Sequence, residues 1–119
     1  CANSAAQMAA VAALEGDQSF TDTIKKEFEE RRNIIVDGLN KIKGIKCAKP
    51  GGAFYVFPSI SNTGMNSHEF SEYLISKVKV ATVPGNEFGE NGEGYIRMAY
   101  TIPKNKIQEA LKRISTALE

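Results

Sequence analysis

One arginine stands out among the side chains that could do chemistry. Arg97 lies in segment 95–100 (YIRMAY), whose composition is typical of a β-strand, and strand alternation places it on the same face as Tyr95 and Ala99. Because its neighbours are apolar, the guanidinium needs a carboxylate partner, since an unpaired buried charge is strongly destabilising. That partner is either a glutamate of the protein or the carboxylate of a ligand, which an arginine can hold as a bidentate pair.

The other reactive side chains form no recognisable catalytic or metal-binding pattern. There is no Ser-His-Asp arrangement and no GxGxxG leading into a helix. Cys1 and Cys47 have no CxxC spacing, and the single histidine, His68, cannot complete a zinc site with them. We therefore expect no metal, a surface role for His68, and two unreactive thiols in a reduced, cytoplasmic protein.

Composition limits the partners. The chain has 119 residues, of which 42% are hydrophobic, which is enough for one compact core. Lys and Arg total 15 against 14 for Asp and Glu, so the charge gives no reason to expect binding to nucleic acid or to an anionic membrane. No apolar stretch approaches the roughly 20 residues needed to cross a bilayer.

Four segments of the chain have the residue pattern of a helix. Residues 4–15 are Ala-rich and end at Gly16, and a long amphipathic helix then runs from Ser19 or Thr21 to Lys41. At roughly 30 Å, this second helix is long enough to link two domains. A third begins at a capping box formed by Asn66 and Glu69, and Pro103 opens the last.

Four segments rich in β-branched and aromatic residues, bounded by turn signals, predict strands: 45–49, 53–60, 80–83 and 95–100. The resulting order is α-α-β-β-α-β-β-α. It predicts the α/β class, as a two-layer α+β domain in which helices cover one face of a small, mostly antiparallel sheet. The long second helix would link this two-layer domain to the part of the protein that precedes it.

Several motifs resemble those of class I/II (fold-type I) aminotransferases, in the family's order and spacing: QMAA from Gln7 with FEERR from Phe28, KPGGAFY from Lys49, VATVPGNEFG from Val80 and GEGYIRMAY from Gly92. The VPGxxFG stretch followed by GxGYxRxxY is the most specific. The resemblance covers essentially the whole chain. It indicates the C-terminal small domain of a pyridoxal-phosphate (PLP) dependent enzyme, similar to aspartate and aromatic aminotransferases.

The resemblance implies roles for particular residues. Arg97 matches the arginine that binds the substrate α-carboxylate, and Phe54 matches an aromatic residue that lines the substrate pocket beside it. The VPGNEFG stretch matches a loop near the active-site entrance. Residues 1–18 would be the helical end of the large, cofactor-binding domain, standing away from the core, and residues 19–119 the small domain.

The resemblance also implies what this chain lacks. The family's Schiff-base lysine lies upstream, in a Ser-x-x-Lys type of stretch of the large domain, whereas the only such stretch here, Ser76 to Lys79, falls among the small-domain motifs. The aspartate and the phosphate-binding cluster that hold PLP are missing too, so we expect no catalytic or cofactor-binding residue in this chain. PLP would be held by the rest of a longer protein, in which amino acids and 2-oxo acids are substrates and two copies form a homodimer.

Three other functions are compatible with these motifs. PLP-dependent carbon–sulfur lyases share them, and so do ligand-sensing regulators with an aminotransferase-like domain. The third is a freestanding α+β ligand-binding module. Because the chain opens at Cys1 and enters the Ala-rich helix at once, we expect part of a longer protein, which argues against that module.

Overall fold

The computed structural model describes all 119 residues, and helices dominate it. Four α-helices are formed: α1 (Ser4–Glu15), α2 (Ser19–Leu39), α3 (Ser67–Tyr73) and α4 (Lys104–Leu118). Turns of π-helix continue α3 over Leu74–Val78. Three short strands lie between them: β1 (Tyr55–Val56), β2 (Val83–Pro84) and β3 (Ile96–Ala99).

The strands form an antiparallel sheet in the order β1-β3-β2. Its inner face carries Val56, Ile96 and Met98, which join one hydrophobic core with buried residues of α2, α3 and α4. The outer face carries alternate residues of the same strands and stays largely open. The α/β class, the antiparallel sheet and the helices on one face are confirmed.

Helix starts follow their local signals. The predicted capping box is present, because the Asn66 side chain accepts from the Glu69 backbone N–H at 2.9 Å while the Glu69 carboxylate accepts from the Asn66 N–H at 3.0 Å. Pro103 stands immediately before α4, where its missing N–H leaves no intrahelical bond unmade.

The predicted strand at residues 45–49 is wrong. Only Lys46 pairs, as a single bridge to Ser59, so the observed order has one strand fewer than expected. The side-chain amide of Asn40 replaces a neighbouring strand, since it accepts from the Cys47 N–H and donates to the Cys47 carbonyl, both at 2.9 Å. Because both backbone groups of Cys47 are hydrogen-bonded to Asn40, this segment needs no pairing with a neighbouring strand there.

The strands predicted at 53–60 and 80–83 are shorter or shifted. The first reduces to β1, because Pro58 has no N–H to donate to a continuing ladder. The second begins only at Val83, since the N–H of Val80 is bonded to the Leu74 carbonyl at 3.2 Å and closes the preceding helix.

The N-terminal helix contributes nothing to the core. No residue of α1 is buried, so this helix lies outside the core. The start of α2 is similarly open, with Phe20 73% exposed, whereas Ile35 and Leu39 further along it are buried. The apolar stripe of α2 therefore meets the core only from Phe28 onward.

Three further observations concern the chemistry of the chain as a whole. No helix combines the length and the apolar character that crossing a membrane requires. No group of three or more His, Cys, Asp or Glu side chains is arranged to hold a metal ion. Cys1 and Cys47 are both free thiols, and burial raises the pKa of Cys47 to about 11, which keeps it protonated at neutral pH.

Candidate functional site

Arg97 occupies the centre of the open sheet face. It lies on β3, the middle strand, and pairs in register with Val83 of β2. Its neighbours along the strand, Ile96 and Met98, are buried, while Arg97 is half-buried and Ala99 is exposed. The alternation expected from the sequence is confirmed, and it directs the guanidinium away from the core.

Two aromatic rings contact this guanidinium. Its central carbon lies 4.6 Å from the ring centroid of Phe88 and 5.6 Å from that of Tyr55. Both separations are within the roughly 6 Å over which a cation and an aromatic face attract each other. Tyr55 reaches Arg97 from β1, and Phe88 reaches it from the short 3-10 turn Gly85–Phe88.

The guanidinium of Arg97 makes no hydrogen bond or ion pair with any other group of the protein. In contrast, each of the other three arginines is paired with a glutamate of its own helix: Arg31 with Glu27, Arg32 with Glu29 and Arg113 with Glu109. Of the two partners that the sequence left open for Arg97, the protein glutamate is therefore absent. Its donors remain available to a ligand carboxylate.

The two aromatic contacts belong to a larger cluster of aromatic side chains. The ring of Phe57 stacks on Tyr95 with a centroid separation of 5.4 Å and an interplanar angle of 7°. The same ring meets Phe88 edge-on at 6.0 Å, and Tyr55 meets Phe54 edge-on at 5.6 Å. These offset and edge-to-face arrangements are the favoured geometries of aromatic pairs.

The loop that carries Phe88 is fixed at both of its ends. At its start, the N–H of Gly85 donates to the Tyr95 carbonyl at 2.8 Å. At its end, the Glu93 carboxylate accepts from the hydroxyl of Ser67 at 2.7 Å and from the backbone N–H groups of Ser67 and Gly94, each at 2.9 Å. Because Ser67 is the first residue of α3, this contact ties the loop to that helix.

These hydrogen bonds change the acidity of Glu93. The Ser67 hydroxyl is the main cause, followed by the backbone N–H groups of Ser67 and Gly94, and together they hold the pKa of Glu93 below its ordinary value of 4.5. The nearby His68 acts in the same direction. His68 itself is exposed and lies 3.3 Å from Glu87, so it sits at the surface as the sequence predicted.

Phe54 lies beside Tyr55 rather than against Arg97. It is 55% exposed and lines a groove of about 530 Å³ between the start of α2 and the 51–53 turn. Tyr55 thus separates Phe54 from Arg97, and the substrate-lining role of Phe54 stays a prediction. The sequence reasoning missed Tyr55 and Phe88 as neighbours of Arg97. No signal in the sequence could have found Tyr55, because its place on the face of Arg97 depends on its pairing with Ala99 in the folded sheet.

The site can bind an anion, and it contains no histidine, carboxylate or lysine for proton transfer. Its arginine stays protonated at any physiological pH, and the side chains that contact it are aromatic. No lysine is among these contacts, so nothing here fits the covalent attachment of PLP. In this small α/β fold, Arg97 is the one arginine whose N–H donors are free to bind an anion such as a carboxylate.

A family profile accounts for this combination. The profile described as "Aminotransferase class I and II" matches residues 1–114. This chain therefore belongs to the class I and II aminotransferase family, as its motifs suggested.

Individual relatives agree with that assignment. The chain is 49% identical, over 115 residues, to an aspartate aminotransferase of Pyrococcus horikoshii, and the match covers 95% of this chain and 29% of that protein. It is 43% identical, over 115 residues, to aromatic-amino-acid aminotransferase 2 of Thermococcus litoralis, with 95% and 29% covered. An alanine aminotransferase structure from Pyrococcus furiosus superposes with a TM-score of 0.93 at 38% identity, covering 99% of this chain and 30% of that one. The chain thus spans about 30% of the length of these relatives.

Proposed function

We propose that this chain is the C-terminal small domain of an enzyme that transfers an amino group from an amino acid to a 2-oxo acid. In this proposal Arg97 binds the α-carboxylate of the substrate. The observation that carries the proposal is that Arg97 alone among the arginines has no glutamate partner, at the position where the family motif has its carboxylate-binding arginine. Its planar fork suits a bidentate pair with a carboxylate.

The reaction itself explains why such a group is useful. The amino acid and the 2-oxo acid occupy the same site in turn, and they differ at the α-carbon but share the adjacent carboxylate. A fixed guanidinium on a strand can hold this shared group and leave the α-carbon free to react elsewhere. Closure of the domain over bound substrate would then exclude water from the site.

Class I and II aminotransferases depend on PLP, which supplies the electron sink for the reaction when it is bound. We propose that the cofactor is held by the remainder of the protein, because no lysine of this chain contacts the Arg97 site. Lys79 follows Ser76 in the only Ser-x-x-Lys stretch of the chain, and its ammonium group donates to the Ser76 carbonyl at 2.9 Å at the end of a helix. This chain would then bind and orient the carboxylate without transferring protons, and would be inactive by itself.

The proposed domain division follows the exposure of the N-terminal segment. Residues 1–18 would belong to the large PLP-binding domain of the same chain, and residues 19–119 to the small domain. The exposed side chains of Met8, Leu14 and Phe20 would be covered by that domain or by a second copy in a cytoplasmic homodimer. Producing residues 19–119 alone tests the division. A folded protein whose far-UV circular dichroism shows the helical content expected for α2, α3 and α4 supports it, and an unfolded protein contradicts it.

Activity of the full-length protein tests the proposal as a whole. The full-length protein would be incubated with PLP, 2-oxoglutarate and one of three amino acids: aspartate, an aromatic amino acid or alanine. The new amino acid and the new 2-oxo acid would then be quantified. Equimolar formation of both products supports amino-group transfer. Release of ammonia and a thiol from a sulfur-containing amino acid would instead indicate a carbon–sulfur lyase, and binding without turnover would indicate a ligand-sensing regulator.

A further inference from the structure

The contacts of Arg97 fix the side chain without using its hydrogen-bond donors. An aromatic ring attracts a cation through the ring face, whereas the N–H groups of a guanidinium lie in the plane of the group and point outward. Phe88 at 4.6 Å and Tyr55 at 5.6 Å therefore hold the guanidinium through their ring faces, and neither side chain forms a hydrogen bond with its N–H groups. An ion pair with a glutamate, as at Arg31 and Arg113, would occupy those donors instead.

Phe88 is itself held in position by its surroundings. Its ring packs edge-on against Phe57, which in turn stacks on Tyr95. The backbone that carries Phe88 is anchored before it, where Gly85 donates to Tyr95, and after it, where Glu93 binds Ser67. The Phe88 side chain is 51% exposed, so without this support its ring would be free to move. The surrounding contacts therefore keep the ring against Arg97.

We propose that Phe88, with Tyr55, is a positioning residue for Arg97. The two rings keep the guanidinium in the orientation that presents its parallel donors to the substrate carboxylate. A flexible arginine would lose side-chain freedom on binding, and holding it in place beforehand reduces that loss. This inference rests on the proposed function, because it assigns the aromatic contacts to the binding of the same carboxylate.

Two substitutions of Phe88 in the full-length PLP-loaded enzyme test the inference. Phe88→Leu keeps an apolar side chain but removes the aromatic face, and we expect KM for the amino acid to rise about 2- to 10-fold while kcat changes less than about twofold. Phe88→Tyr keeps the face and should restore the wild-type KM. Amine substrates that lack the α-carboxylate should show no change with either variant. A loss in Phe88→Tyr as large as that in Phe88→Leu would overturn the inference.

A double-mutant cycle with Arg97→Ala shows whether Phe88 acts through Arg97. Once the guanidinium is absent, Phe88→Leu should have no further effect on kcat/KM for the amino acid. A full Phe88→Leu effect in the Arg97→Ala background would overturn the inference and leave the proposed function intact. If Arg97→Ala itself leaves amino-acid kinetics unchanged, the proposed function fails as well. Should Phe88→Leu not fold, Tyr55→Leu takes its place in the same cycle, with the same two outcomes.

Discussion

The backbones of Gly85 and Gly92 pass so close that neither residue can carry a side chain. A Cβ atom on Gly85 would lie 2.1 Å from the Gly92 carbonyl oxygen, and one on Gly92 would lie 2.0 Å from the Gly85 carbonyl oxygen. Both separations are far below any van der Waals contact. This approach closes the loop that brings Phe88 over Arg97, so the two glycines act on the site through the shape of that loop.

Replacing one of these glycines should therefore open the loop. Gly92→Ala forces the methyl group into backbone that has no side chain to move aside, and we expect the free energy of unfolding to fall by about 1–3 kcal/mol, as for other overpacked positions. Gly51→Ala is the matched control, since nothing lies within 4 Å of its added Cβ atom. Denaturant unfolding of both variants measures the effect. Equal stabilities for Gly92→Ala and Gly51→Ala would show that the close approach is not maintained in solution.

The Glu93 contact should make the loop sensitive to acid. Because the folded protein holds the pKa of Glu93 below 4.5, its contribution to stability is fully present above the unfolded value and is lost as the pH falls through the lowered folded pKa. Glu93→Gln should consequently lower the melting temperature at neutral pH, and the difference from wild type should shrink below pH 4.5.

Glu72→Gln provides the comparison for that measurement, because Glu72 on α3 makes no hydrogen bond or ion pair. Its melting temperature should follow the wild type across the whole pH range. A Glu93→Gln difference that is absent at neutral pH, or that widens with acid, would contradict the assigned role of the carboxylate in anchoring the loop to Ser67.

Local signals predicted the helices of this chain better than its strands. The capping box at Asn66 and Glu69 and the proline before α4 act on adjacent backbone, so their residue types are enough to place a helix start. The strand at residues 45–49 failed for a different reason. The Asn40 side chain, seven residues away, makes both hydrogen bonds of the Cys47 backbone in place of a neighbouring strand. No local sequence pattern predicts such a contact.

The candidate site likewise combines features that the local sequence predicts with features that depend on distant contacts. The strand position of Arg97 and its outward direction follow from alternation along the chain, and its relation to a carboxylate follows from its charge. Its contacts with Tyr55 and Phe88 join residues far apart in sequence and depend on the register of β1 with β3 and on the path of the loop. Those are properties of the folded chain, which residue types alone do not specify.

The isolated 119-residue chain should not acquire PLP at a defined lysine. The aromatic site around Arg97 contains no lysine. Lys79, in the only Ser-x-x-Lys stretch of the chain, donates instead to the Ser76 carbonyl at the end of a helix. After incubation with PLP, borohydride reduction and removal of free cofactor, peptide mass spectrometry should find only substoichiometric labelling spread over surface lysines. Stoichiometric modification of one lysine would refute the proposal that the cofactor is held elsewhere.

The role of Arg97 is tested most directly by comparing an amino acid with the amine that lacks its α-carboxylate, in the full-length enzyme. Arg97→Lys keeps the charge but loses the bidentate pair, so kcat/KM for the amino acid should fall by about 1.5–3 kcal/mol in equivalent free energy, roughly one to two orders of magnitude. Arg97→Ala should lower it further, because the bound carboxylate then has no counter-charge. The amine's kcat/KM and the visible spectrum of bound PLP should be nearly unchanged in both variants. Equal losses for amino acid and amine would contradict carboxylate binding and leave Arg97 with a structural role.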